Sequence, residues 1–585
     1  MPVQESDIAV TVTVDAVFPG TRADESAMRE ALTSLSRDDA LLTCARINAV
    51  VSGFSPGRTL HQRQTQAAQM LCSEDQLRAL SLYAQRHGGP ERVMVFFRGQ
   101  LLELARWIAL TCDNRPDDGD TFRDPAVRLA FLKATLIAGD LWQQRLFGVK
   151  GIQPNTDAEA QLLELLSAFR KSVEEGNQSG HAGFLIGRGW ILFSQFLPAR
   201  LPRFEELFAQ ATGLTLRQYF VCALALLERT FSDRPEEARI FSTQYVQGDG
   251  PVRETFARFM QLQSQTPEEW ARTLKDRPND ATFRALRERP IFTFAGDRAI
   301  IFDPAFYLDN LTTAPLFQVM SQGVSSNQVF GAFGLAFEDY VIGLLRRRFP
   351  TSSGLLYERL RSNVRGETAA GQEFEIDAAL NDITTLAVFE VKAAWIREET
   401  ISASNPQAFL DEIRRKYGYL AEADERPKGV AQLARSIGAI VRREWLGPGR
   451  EYADASVVFP VLVVFDERMS APGTGHFLAK EFRTLLGTIP AGIYVHPLIV
   501  MTVNDLEHLV YGVEALSLQE FLRAYARADP DRNSSIHNFI AGSPYLNQVR
   551  SSSALEEATE GLLTAARAEL LGPQLPEPHC ATLRL

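Results

Sequence analysis

Lysine and cysteine are scarce in this chain, and several diagnostic motifs are missing. Five cysteines (Cys44, Cys72, Cys112, Cys222 and Cys580) are scattered over 585 residues without a C-x-x-C pair. That spacing excludes a zinc knuckle or a disulfide framework and points to a reducing, cytoplasmic setting. No uninterrupted apolar run reaches the ~18 residues of a membrane helix. The opening stretch MPVQESDIAVTVTVDAVF carries Asp and Glu where a signal peptide is basic, so neither export nor a membrane partner is expected. The glycine-rich SAPGTGHF lacks the Walker lysine that cradles phosphates, which excludes a nucleotide-hydrolysing motor. No fixed-period repeat supports a solenoid. A net charge of −11 excludes a uniformly basic nucleic-acid coat, though not a local basic groove.

The chain is otherwise ordinary for a folded protein, 45% hydrophobic and 23% charged, and long enough for about two or three domains. After a short alternating segment from Ile8 to Phe18, read as an edge strand, apolar residues recur at helical spacing. EDQLRALSLYAQRH, VMVFFRGQLLELARWIALTC, DPAVRLAFLKATLIAGDLWQQRLFG and DAEAQLLELLSAFRKSV all show it. RFEELFAQATGLTLRQYFVCALALLERTF extends the pattern, and helices are expected to about Arg289. RPIFTFAGDRAIIFDP then reads as a hairpin turning at Gly296 and Asp297.

From about residue 325 the pattern changes. An amphipathic helix (GAFGLAFEDYVIGLLRRRFP) is followed by GLLYERLR, a hairpin, and a variable loop through SASNPQAF. The helix KGVAQLARSIGAIVRREW, the apolar strand ASVVFPVLVVFD and a strand-to-helix segment IYVHPLIVMTVNDLEHLV complete it. The expected fold is therefore α+β overall: a large all-α N-terminal domain followed by an α/β domain with a central mixed sheet. The divisions are 1–290 mainly helical, 291–324 hairpin and linker, 325–550 α/β, and 551–585 a C-terminal helix and mobile tail.

The hairpin, FEIDAALNDITTLAVFEVKAAW (374–395), places four charges in apolar strands: Glu375, Asp377, Glu390 and Lys392. Burying each costs several kcal/mol unless it is compensated. With Asp382 to Thr385 as a four-residue loop, Asn381 pairs with Leu386. Asp377 then faces Glu390, and Glu375 faces Lys392, while Glu390 and Lys392 share one face of their strand. Two opposed carboxylates repel unless a cation joins them, and carboxylate oxygens are the ligands Mg²⁺ takes while keeping several waters. Only eight of 61 basic residues are lysine, and a lysine beside such a pair can manage a water as arginine cannot. Metal, water and a nearby cation suit attack on a phosphodiester. The acid-x-Lys tripeptide itself is expected about once by chance in such a composition, so its weight comes from its setting.

In that setting the chain resembles the PD-(D/E)XK (restriction-endonuclease-like) nuclease superfamily over roughly residues 325 to 510. EFEIDAAL supplies Asp377 and VFEVKAAW supplies Glu390 and Lys392. GLAFEDYVIGLL supplies Glu338, preferred to its neighbour Asp339 because it follows Phe337 on the apolar side. The proline that names the motif is replaced by Ile376. KGVAQLARSI resembles the helix that follows the motif in resolvase-like and restriction-like members, with Lys428, Gln432 and Arg435 toward nucleic acid. The resemblance implies a DNA endonuclease in preference to an exonuclease, using Mg²⁺ with Mn²⁺ as a substitute. Asp377, Glu390, the Val391 carbonyl and Glu338 would be ligands, and Lys392 would orient or activate the water.

The segment from Arg414 to Arg450, with nine Lys or Arg against four acids, would contact phosphates. The helical part would receive a partner protein or activating ligand, by analogy with sensor-controlled effectors of prokaryotic anti-phage defence. Two-strand cutting would call for a homodimer. The competing reading is a non-catalytic nucleic-acid-binding or assembly protein that uses the same fold as a scaffold.

Overall fold

The computed structural model describes residues 10–51, 59–114, 121–147, 157, 159–166, 168, 182–230, 240–242, 250–277, 282–349, 359–369, 371–402, 405–418, 428–512, 518–541 and 553–571. The expected tail after Gly572, and most of GLLYERLR, lie outside these residues. The architecture is α+β: a helical N-terminal region and a mixed C-terminal sheet.

Local chemistry sets the helix ends. Thr59 with Gln62, and Ser73 with Gln76, form reciprocal capping boxes at the starts of Leu60–Leu71 and Glu74–Arg86. Gly213, left-handed at φ 70°, divides the helical stretch expected from 203 to 231 into Phe204–Thr212 and Leu216–Thr230. The expected N-terminal edge strand is reduced to β1 (Val10–Thr11), and Val14–Val17 turns helical instead. β1 pairs in parallel with β2 (Val93–Met94). The hairpin at the seam forms as expected. β3 (Ile240–Ser242), β4 (Ser264–Gln265), β5 (Ile291–Phe294) and β6 (Arg298–Ile301) make a sheet in the order β3-β6-β5-β4. Gly296 and Asp297 both take positive φ at the β5–β6 turn.

The second sheet comprises β7 (Leu360–Glu367), β8 (Glu373–Asp382), β9 (Thr385–Lys392), β10 (Val457–Val464), β11 (Tyr494–Val495) and β12 (Ile499–Thr502). β7, β8 and β9 form an antiparallel meander, and β10 joins β9 in parallel. The far flank of β10 is taken first by β11 and then by β12, both parallel. The stretch expected as a variable loop holds two helices, Glu398–Ser402 and Pro406–Tyr417. The second is capped by Asn405.

Side-chain alternation assigns the two faces of the sheet. Ala387, Phe389, Val461 and Val463 pack with the Ser326–Arg348 helix and with helices between Leu185 and Phe259. Leu386, Val388, Leu462 and Val464 pack with the Pro406–Tyr417, Val430–Val441 and Thr474–Leu486 helices. A third apolar cluster gathers the helices from Val12 to Trp142 with Trp270 to Phe306. The C-terminal helix Ser553–Ala566 returns to the helical part, so closely that a Cβ on Gly187 would meet the Leu555 carbonyl at 2.7 Å.

Ser326–Arg348 is long and apolar enough by length and composition to cross a membrane, which counting uninterrupted apolar runs did not reveal. Phe333, Phe337, Val341 and Leu345 bury its apolar side in the protein core.

Candidate active site

The hairpin register follows the sequence expectation, with one change in the turn. Asn381 pairs with Leu386, but Asp382 also pairs with Thr385, leaving a two-residue turn of Ile383 and Thr384. The β8–β9 ladder runs only to Ala378 and Phe389. On the other side, β7 and β8 pair at Ser362–Ala378 and again at Val364–Ile376. They skip Asn363, which stands opposite Asp377 with φ of 52°. Asp377 therefore sits where its strand parts from β9 and where its ladder with β7 is interrupted for one pair.

That parting leaves the Val391 N–H without a backbone acceptor on β8, and the Asp377 carboxylate takes it, with Oδ2 accepting at 2.7 Å. Two residues of sequence separation put Glu390 and Lys392 on the same face of β9, and the Lys392 Nζ lies 2.6 Å from Glu390 Oε1. Glu390 is almost wholly buried, at 1% exposure, and its Oε1 has no aligned hydrogen-bond donor.

The charges feel one another. Burial raises Asp377, against the pull of Lys392 and the Val391 N–H. Glu390 is pushed up to about 8, chiefly by burial and further by Asp377 and Glu338, while Lys392 opposes the rise. Glu338 is pushed up to about 7 by burial and by Asp377. Burial works against the Lys392 ammonium, but Glu390 and Asp377 outweigh it and hold the group charged. A cluster of three acids and one cation in a dry setting is short of positive charge.

The sequence-predicted residues divide accordingly. Asp377, Glu390 and Lys392 are brought together. Glu338 arrives from the helix on the opposite face of the sheet and acts on the others through its charge. Its neighbour Asp339 is engaged elsewhere, in a two-point ion pair with Arg200 at 2.7 and 2.8 Å. Val391 contributes its N–H. Glu375 does not face Lys392 as the register suggested. It pairs across the sheet with Arg365 at 3.1 Å, because the strands have parted beyond Ala378.

Gln432 and Ser436, one turn apart on the Val430–Val441 helix, both donate to the Glu375 carbonyl, at 3.4 and 3.2 Å. This places Gln432 at the edge of the cluster, while Lys428 and Arg435 are exposed. Three of the nine basic residues from Arg414 to Arg450 are held in ion pairs. Arg414 pairs with Asp411 and Glu481, Arg415 with Glu412, and Arg442 with Glu444.

Among the described residues, no three His, Cys, Asp or Glu side chains form a ready metal-binding group. Two carboxylates suffice for Mg²⁺, which keeps most of its waters. The buried Glu390 carboxylate beside Asp377, its Oε1 met by the Lys392 ammonium, fits that smaller ligand set. Sequence reasoning missed Arg188. Fully buried, it lies 3.2 Å from Glu507, which in turn accepts from the Tyr340 hydroxyl at 2.6 Å. This network fastens the helix that carries Glu338; an isolated arginine in the sequence carries no signal of it.

No family model, curated protein or solved structure matches this chain.

Proposed function

We propose that the chain is a metal-dependent deoxyribonuclease of the PD-(D/E)XK type. One observation carries the reading: Asp377, Glu390 and Lys392 converge where β8 separates from β9, with Glu338 close enough to act on them, so that buried carboxylates outnumber the cation among them. Charge buried without full compensation is costly and needs a reason, and functional sites are where such groups collect.

Asp377 and Glu390 would hold the ion, with Glu338 adding charge from beside them. Bound there, Mg²⁺ would supply a Lewis acid and a water of lowered pKa. Lys392 is held as an ammonium by its acidic neighbours, so its part is to donate hydrogen bonds and stabilise charge developing on the phosphate, not to remove a proton. The Val391 N–H fixes one Asp377 oxygen and so sets which way the other oxygen points. Gln432 sits at the rim, where it can meet the nucleic-acid backbone.

The test is incubation of purified protein with supercoiled, linear and single-stranded DNA in Mg²⁺ or Mn²⁺, beside the Asp377→Ala and Lys392→Ala variants. The expected result is cleavage by the wild type alone. Cleavage that persists in both variants overturns the assignment. A wild type that binds DNA but never cuts it supports the scaffold reading instead.

A further inference from the structure

Directly beyond Lys392, the chain leaves β9 through Ala393, Ala394 and Trp395 and forms one wall of a cleft of about 1310 Å³. A pocket for a single small molecule is roughly 300–1,000 Å³, so this one has room for more than one nucleotide. Its opposite side comes from the helical part of the chain, and neither Asp377 nor Glu390 lines it.

Two kinds of side chain dominate its chemistry. Phe317, Phe330 and Trp395 form an aromatic wall. Phe317 is 54% exposed, unusual for so large an apolar side chain, and stands edge-on to Phe330, which contacts Trp395 at 5.5 Å. The other component is cationic. Arg287 is neutralised by Asp309 and Arg284 by Glu288 and Glu398. Arg258, Arg289 and Lys416 line the cleft without an ion pair among the described residues. Beside Lys416, one carboxylate, Glu412, serves both Arg397 and Arg415, and burial together with these like charges lowers the Lys416 pKa. The local surplus is positive in a chain whose net charge is −11.

Aromatic faces beside unneutralised cations are what an unpaired nucleic-acid strand needs: bases stack, phosphates pair, and no sequence is read. A duplex keeps its bases stacked on one another and gains nothing from Phe317. We propose that this cleft binds single-stranded DNA. Bases lie against Phe317, Phe330 and Trp395, phosphates run along Arg258, Arg289 and Lys416, and the strand leads to the acid–lysine cluster. The assignment rests on the nuclease reading only for where the strand leads.

The aromatic wall also connects to the cluster physically. Trp395 follows Lys392 by three residues and stacks on Phe333, while Phe465 touches Trp395, Phe333 and Phe337, the residue before Glu338.

The experiment measures fluorescence anisotropy of a labelled twelve-residue oligo(dT) with full-length protein in EDTA, where no cutting occurs. A duplex of equal length and dTMP serve as competitors. The oligonucleotide is expected to bind in preference to both. Arg258→Glu with Arg289→Glu should weaken binding at least tenfold and flatten the salt dependence, by about 0.7 in log–log slope for each phosphate left unpaired. Phe317→Ala, at a position 54% exposed, should weaken it roughly tenfold with the salt slope and the circular dichroism spectrum unchanged. Equal binding of duplex, equally tight competition by dTMP, or wild-type affinity in both cleft variants overturns the proposal. Cleft-dependent binding in a protein that never cuts defeats the nuclease reading alone. Cutting of single strands at unchanged kcat/KM in both cleft variants defeats the cleft alone.

Discussion

Two buried carboxylates, one in the helical part and one in the C-terminal sheet, have been treated in opposite ways. Asp303, in the helical part, is completely buried and completely answered. Arg98 donates from Nε and Nη2 at 2.7 and 2.8 Å, the Phe306 N–H donates at 2.8 Å, and Asn48 adds another bond at 2.8 Å. Burial alone would raise Asp303, but Arg98 and these donors outweigh it and hold its pKa below the ordinary value of 3.8. Glu390 is as deeply buried, but its neighbours are two other acids and one lysine, and it is pushed up to about 8. The first arrangement closes a fold. The second leaves acids in excess of the cation beside them, and the distinction lies in the donors rather than in the depth.

That contrast can be broken most forcefully at Asp303. Asp303→Ala leaves the Arg98 guanidinium buried without its partner and is expected to cost ~3–5 kcal/mol, read from urea denaturation. Its pH dependence has a definite sign. Because the folded pKa is depressed, the contribution of Asp303 is fully present above the unfolded value of 3.8 and is lost as pH falls through the folded value. The stability gap between wild type and Asp303→Asn should therefore stay constant from neutrality to about pH 4 and narrow only below it. A gap that closes between pH 7 and 5 would contradict this.

Next in size is Lys392→Ala, expected to lower the rate of DNA cleavage by ~10²–10³ while the protein stays folded, as removal of a group that stabilises developing charge does elsewhere. Steady-state rates with circular dichroism on the same samples check both halves. Glu390→Gln sharpens the comparison in the other direction. It relieves repulsion with Asp377 and Glu338, so stability should hold or rise by about 1 kcal/mol while cleavage is lost. A large loss of stability would make Glu390 a structural residue like Asp303. The smallest effect belongs to the exposed Arg365–Glu375 pair at the rim: Arg365→Ala should change stability by less than about 1 kcal/mol in the same denaturation assay.

Much of this was legible along the chain. Alternation in TLAVFEVK set the two faces of β9, and the i, i+2 spacing of Glu390 and Lys392 put both on one face. The Asn381–Leu386 register followed from the polar turn between two apolar runs. Helix stretches were legible from their period, but not their breaks: Gly213 divides a run whose apolar spacing continues across it.

The basic count from Arg414 to Arg450 shows charges without the acids beside them: Asp411, Glu412, Glu444 and Glu481 pair with three of the nine, Arg414, Arg415 and Arg442. Glu375 misled for its own reason. A register extrapolated beyond Ala378 assumes that the strands stay paired, and Asn363 shows that the ladder on the other side is broken at the same level.

What the sequence determined by itself is thus the set of local regularities: helix periods, strand faces, the hairpin, and the identity of the acid-x-Lys pair. These depend on residues within a few positions of one another, whose relative geometry the backbone dictates. Tertiary structure alone decided which charges stay unanswered. It brought Glu338 across from another helix, assigned Asp339 to Arg200, and set Phe317 and Arg258 facing a cleft that begins just after Lys392. Electrostatic balance acts through space, and residues far apart in the chain supply or withhold the compensating charge only once the fold has placed them.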